Sequence, residues 1–93
     1  MKEVEIRLTI HAREKLSQRN IPLELVRLVV LEPELTLKDR NDPELIHYVR
    51  GFEGKFLRVL GRWEKEGTFL LVSAFFDRRL RKAREGHDQD SVR

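Results

Sequence analysis

The period of the apolar residues changes twice along this chain, and those two changes set its fold class. Val4, Ile6, Leu8 and Ile10 alternate with Glu5, Arg7 and Thr9, a period of two that predicts a strand with one buried face. At His11 the period lengthens. Ala12 and Leu16 stand four apart among Arg13, Glu14, Lys15, Gln18 and Arg19, as in a short amphipathic helix, and Asn20 suits the left-handed residue that ends one. Pro22 opens a second helix, where its missing N–H is no loss. Leu25, Val26, Leu28, Val29 and Val30 supply the apolar face, and Pro33 stops the helix because the residue before a proline avoids the α region. The two helices form a hairpin.

After Pro33 the pattern is that of strands. Leu35-Thr36-Leu37 is short, and the polar run Asp39-Arg40-Asn41-Asp42-Pro43 behind it is a loop. Residues 46–50 form the next strand, and Gly51-Phe52-Glu53-Gly54 is a glycine-flanked connection into a strand over residues 55–64. Lys65-Glu66-Gly67 turns into Thr68–Phe76, which is apolar on both parities, as expected of a central strand. Asp77 is placed to cap a basic turn or helix over residues 78–85, and residues 86–93 read as a polar tail. The expected fold is a single two-layer α+β domain over residues 1–85. Its order is β-α-α-β-β-β-β, with an antiparallel sheet packed by an N-terminal helical hairpin.

Composition narrows the function classes. At 93 residues the chain buries roughly 60% of its unfolded surface, enough for one core. Without cysteine it has no disulfide framework, thiolate zinc site or cysteine nucleophile. No apolar run is long enough for a signal peptide or a membrane span, so the expected setting is the cytoplasm, away from membranes. The three histidines lack metal-pair spacing, and no nucleotide or cofactor fingerprint is present, so neither a metal nor a cofactor is expected.

The net charge of +3 is distributed unevenly. Residues 1–45 carry 8 basic against 9 acidic side chains, and residues 46–84 carry 10 against 4. Thirteen of the 19 basic residues are Arg, whose guanidinium binds phosphate bidentately and stacks on bases. This points to a polyanionic partner for the second half; a surface laced with ion pairs is the alternative.

Three groups of residues are candidates for chemistry. His11, Lys15 and Arg19 recur every four positions and form one cationic ridge on the first helix, with His11 either a junction hydrogen-bonder or a ligand-facing group. Tyr48, Arg50, Arg58 and Arg62 fall at alternate strand positions. If register brings them to one uncovered sheet face, they unite a stacking ring, a proton donor and several guanidiniums, the equipment for binding or cleaving a phosphodiester; otherwise they are a solvated face. Lys55 precedes Arg58 and Arg62 on the strand over residues 55–64. Arg78, Arg79 and Arg81 belong to a run of five cations in seven residues, a phosphate-binding arm or a solvated tail.

Residues 10–21, reading Ile-His-Ala-Arg-Glu-Lys-Leu-Ser-Gln-Arg-Asn-Ile, together with Glu24, Val26 and Pro33, resemble the opening of the prokaryotic family called domain of unknown function 4258. Tyr48-Val49-Arg50, the run Gly54-Lys55-Phe56-Leu57-Arg58-Val59 and Ser73-Ala74-Phe75-Phe76 are similar to that family's strand signatures. Lys15 stands where the family usually has Arg, and Asn20 where it usually has Gly. The element order is also similar to the RelE/ParE-type toxin fold, including its BrnT-like branch. The resemblance implies a toxin-like domain of a toxin–antitoxin system that acts on RNA, free or on the ribosome, as a metal-independent endoribonuclease or an RNA binder. An acidic antitoxin would cover the basic face. By the same resemblance, Tyr48 or His11 would transfer protons and Arg50, Arg58 and Arg78 would hold phosphate. The other reading is a non-catalytic nucleic-acid-binding or protein-interaction module.

Overall fold

A computed structural model describes residues 4–78. The elements are β1 (Glu5–Leu8), α1 (Ile10–Arg19), α2 (Leu23–Leu31), β2 (Leu35–Lys38), β3 (Ile46–Phe52), β4 (Lys55–Lys65) and β5 (Thr68–Phe76). This is the expected α+β order. Strands β2 to β5 form an antiparallel meander, and β1 joins β5 in parallel at the other edge, giving the mixed order β1-β5-β4-β3-β2. The helical hairpin carries the chain over one face of the sheet from the β1 edge to the β2 edge, with α1 against β5 and α2 over β3 and β4.

Local chemistry sets the boundaries. Thr9 is extended, and its hydroxyl accepts the Ala12 N–H at 3.0 Å, so the first helix begins at Ile10, two residues after β1 ends. The alternation assigned Ile10 to the strand's buried side; as the first helical residue it is 79% exposed. Asn20 takes the left-handed conformation (φ 54°, ψ 48°) and ends α1. Glu53 and Gly54 both have positive φ, so they are the two central residues of the tight β3–β4 turn, a conformation that favours glycine.

The core lies between the helices and one sheet face. Ala12, Leu16, Val26, Val29 and Val30 meet Leu57, Val59, Phe69, Leu71 and Ala74. Helices and strands approach closely there, and Gly61 is part of the reason. A Cβ at Gly61 would run into the Leu70 carbonyl oxygen and come within 2.6 Å of the Phe69 ring. The other sheet face carries no helix among the described residues. Among those residues, too, no helix is long and apolar enough to cross a membrane.

Candidate nucleic-acid interface

The Glu53-Gly54 turn fixes how β3 and β4 pair. Phe52 stands opposite Lys55, and therefore Arg50 opposite Leu57, Val49 opposite Arg58, Tyr48 opposite Val59 and His47 opposite Leu60. Residues directly opposite share a face, and parity alternates along each strand. Tyr48 and Arg50 thus lie with Leu57 and Val59 on the helix-covered face, whereas Arg58 and Arg62 lie with His47 and Val49 on the other. The common face expected for Tyr48, Arg50, Arg58 and Arg62 does not form. The sheet divides that set into two pairs.

On the covered side, Tyr48 packs edge-on to Phe69 at 5.5 Å between ring centres. Burial pushes its phenol above the ordinary value, and a hydrogen bond with Trp63 works in the opposite direction. A phenol shifted this way is a poorer base near neutral pH and keeps its proton. Arg50 reaches the end of α2, where Nη1 donates to the Glu32 carbonyl at 2.7 Å and stands 3.8 Å from the Glu32 carboxylate, with the guanidinium over the Phe52 ring. Its Nε is buried without a hydrogen bond. Arg50 thereby ties the C-terminal end of α2 to the sheet.

The uncovered face holds a relay that the sequence reading did not include. Arg58 Nε donates to Asp77 Oδ2 at 3.0 Å, and Nη1 lies 3.1 Å from His47 Nδ1. Nε2 of His47 lies 2.7 Å from Asp39 Oδ1. A guanidinium only donates, so Nδ1 must keep its lone pair and the ring proton sits on Nε2, donated to Asp39. Both ring nitrogens are therefore engaged, and His47 acts as a spacer between Asp39 and Arg58. Asp39 Oδ2 also accepts the N–H groups of Asn41 and Asp42. The His47 hydrogen bond, helped by these amides, holds the Asp39 carboxyl below its ordinary value. Asp77 is only 5% exposed and the Arg58 side chain 16%, so this ion pair is largely removed from water.

Beside the relay, at the end of the sheet, Lys55, Phe56, Phe76, Asp77 and Arg78 line a cleft of about 340 Å³. The Asp77 N–H donates to the Phe56 carbonyl at 2.8 Å, which joins the end of β5 to the start of β4. Lys55 Nζ stands 5.6 Å from the centre of the Phe76 ring, within cation–π range. Arg78 is exposed at the rim. Lys55 and Arg78 are thus the predicted cations that line the cleft, and Arg58, on the opposite sheet face from Lys55, is tied to it through Asp77.

The other predicted residues stand elsewhere. His11 is exposed on the first turn of α1 and Lys15 is half-buried one turn later. Arg19, at the end of that ridge, donates from Nη1 to the Ala74 carbonyl at 2.8 Å with its guanidinium 5.9 Å from the Phe75 ring. It closes a stretch of the β5 edge that β1 is too short to cover. Arg62 Nη1 pairs with Glu44 at 2.7 Å. Arg79, Arg81 and the tail over residues 86–93 lie outside the described residues. Among the described residues no group of three or more His, Asp or Glu side chains is placed to hold a metal ion. Compared with known proteins, the chain matches no family model, no curated protein and no solved structure.

Proposed function

We propose that this chain is a toxin-like RNA-binding domain that holds a single-stranded segment at the end of its sheet. One observation carries the reading: Lys55 and Arg78 line a cleft at the end of the sheet together with Phe56 and Phe76, which come from opposite sheet faces, and Arg58 is tied to it through Asp77. Cations along a backbone track and aromatic faces for bases are the two requirements of single-strand binding. The one-sided positive charge of residues 46–84 supports a polyanionic partner, and the choice of RNA rests on the sequence resemblance to the toxin families. The geometry supports binding over cleavage. Tyr48 keeps its proton on the far side of the sheet from Arg58, and His47 has no ring nitrogen to offer a 2′-hydroxyl.

Fluorescence anisotropy of a labelled single-stranded RNA across a salt series tests this directly. Removing two phosphate contacts with Lys55→Ala and Arg78→Ala lowers the slope of log affinity against log salt by about 1.4 and weakens binding at every salt concentration. An unchanged slope, or no salt-dependent binding by the wild type, ends the proposal. The same samples, run on a gel, give intact RNA. Fragmentation that Tyr48→Phe abolishes would replace binding by cleavage as the activity.

A further inference from the structure

The two edges of the sheet are guarded differently. On the uncovered face the β1 edge presents Glu5 and Arg7, and Arg7 is paired with Glu64 on β4. Charges of this kind protect a strand edge from pairing with another chain. At the opposite edge β2 lacks that protection. All four of its residues are exposed, Leu35 at 39% and Leu37 at 42%, and both leucines share the uncovered face with Val49 and His47. α2 packs chiefly over β3 and β4, so β2 projects beyond the helical layer.

The residues of this edge are complementary to themselves. From Glu34 they read Glu-Leu-Thr-Leu-Lys, and a second copy laid antiparallel and centred on Thr36 sets Glu34 opposite the partner's Lys38. Leu35 then stands opposite the partner's Leu37 and Thr36 opposite the partner's Thr36. By two-fold symmetry each unlike pair occurs twice. Opposite charges, apolar pairs and a Thr–Thr pair are the cross-strand combinations that stabilise a ladder. Sliding the register by one pair in either direction sets Pro33 against Leu37 or Asp39 against Leu35, losing both the charge match and part of the apolar match. The Glu34 carboxylate accepts the Gly51 N–H at 3.2 Å, and Lys38 makes no ion pair among the described residues.

We propose that two copies of this chain associate through β2, antiparallel and centred on Thr36, to make one continuous ten-stranded sheet. The four leucines of the two β2 strands form a single apolar strip at its centre. The contact is short, so the association is reversible and depends on concentration. The sheet ends that hold Lys55 and Arg78 lie away from this seam, so the dimer carries two separate cation–aromatic clefts.

Sedimentation equilibrium over a concentration series, with RNA-free full chain, is the test. The wild type shows a monomer–dimer equilibrium. Lys38→Glu sets like charges opposite each other twice and raises the dissociation constant on the order of tenfold. Glu34→Lys does the same, and the double reversal Glu34→Lys/Lys38→Glu recovers most of the loss. Leu37→Lys weakens the dimer by another route that leaves Glu34 and its Gly51 hydrogen bond in place. A wild type that stays monomeric at millimolar concentration overturns the proposal. So does a double reversal as weak as the sum of its parts, since the charges would then not face each other; circular dichroism of each variant identifies any that has simply unfolded.

Discussion

Arg50 and Arg58 lie on adjacent strands of one sheet, and they serve opposite ends. Arg50, on the helix-covered face, spends its guanidinium on the carbonyl of Glu32, the residue that caps α2, and on the Phe52 ring, at the margin of the packed core. Arg58, on the uncovered face, is gripped by an almost fully buried carboxylate on one side and a histidine on the other, and the cleft opens beside it. The contrast teaches that a strand's parity decides whether an arginine helps hold the fold together or helps prepare a surface, and that parity is fixed by the turn that sets the register.

The largest effect that separates the two sides is on stability. Arg58→Ala removes an ion pair with Asp77 that is largely out of water, together with the bond to His47, and should cost about 1.5–3 kcal/mol. Arg50→Ala removes a hydrogen bond to a carbonyl from a side chain still 30% exposed and should cost about 1 kcal/mol. Urea unfolding of both variants measures the difference. Equal losses would mean that the two faces hold their arginines alike, and the contrast drawn from burial would fail.

Tyr48 sharpens the comparison from the covered side. It is the chain's one tyrosine, so ultraviolet absorbance during an alkaline titration reports it alone. The unfolded phenol releases its proton near pH 10, about the free value, while the folded phenol, raised by burial, holds it longer. Protons are then bound more tightly by the native state, so stability declines as pH rises from about 10 through the folded value. A phenol that titrates at its free value would place Tyr48 in water and reopen it to the uncovered face. Tyr48→Phe removes the titrating group and should abolish this alkaline decline while leaving the ring against Phe69 in place.

Much of this was legible in the sequence, and the missing part has one cause. The change of period at His11, the proline at position 33, the alternation within each strand and the doubly apolar β5 gave element order and most boundaries. The assignment of Ile10 to β1 failed because Thr9, a good cap, competes for the same junction. The parallel pairing of β1 with β5 depends on the whole path of the chain and has no local signal. The common face expected for Tyr48, Arg50, Arg58 and Arg62 needs an odd number of residues in the turn between β3 and β4, because any even-numbered turn, whether Gly51–Gly54 or Glu53-Gly54, sets even positions of β3 opposite odd positions of β4. The sequence pattern leaves that register open; the two-residue turn Glu53-Gly54 closes it, pairing Phe52 with Lys55 and Val49 with Arg58. Asp77 stands immediately before helical Arg78, where the expected cap belongs, and its bond to Arg58 is a long-range contact across the sheet that no local pattern signals.

The smallest expected effect tests the far end of the relay. The His47 hydrogen bond and the Asn41 and Asp42 amides hold the Asp39 carboxyl below its ordinary value in the folded chain. A depressed carboxylate contributes stability that is present above the unfolded value of about 3.9 and is lost as pH falls through the folded value. The gap in urea midpoint between the wild type and Asp39→Asn should therefore be widest at neutral pH and close progressively below about pH 4, because the asparagine cannot titrate. His47→Gln should narrow the same gap, since the hydrogen bond that does most to lower the Asp39 carboxyl is gone. Arg58 provides the internal control: its charge does not change over this range, so the pH-dependent part belongs to Asp39 and the remainder to the bonds around it. If the gap keeps its size down to pH 3, Asp39 titrates as a free carboxylate. His47 is then not held from that side, and the relay shortens to Arg58 and Asp77.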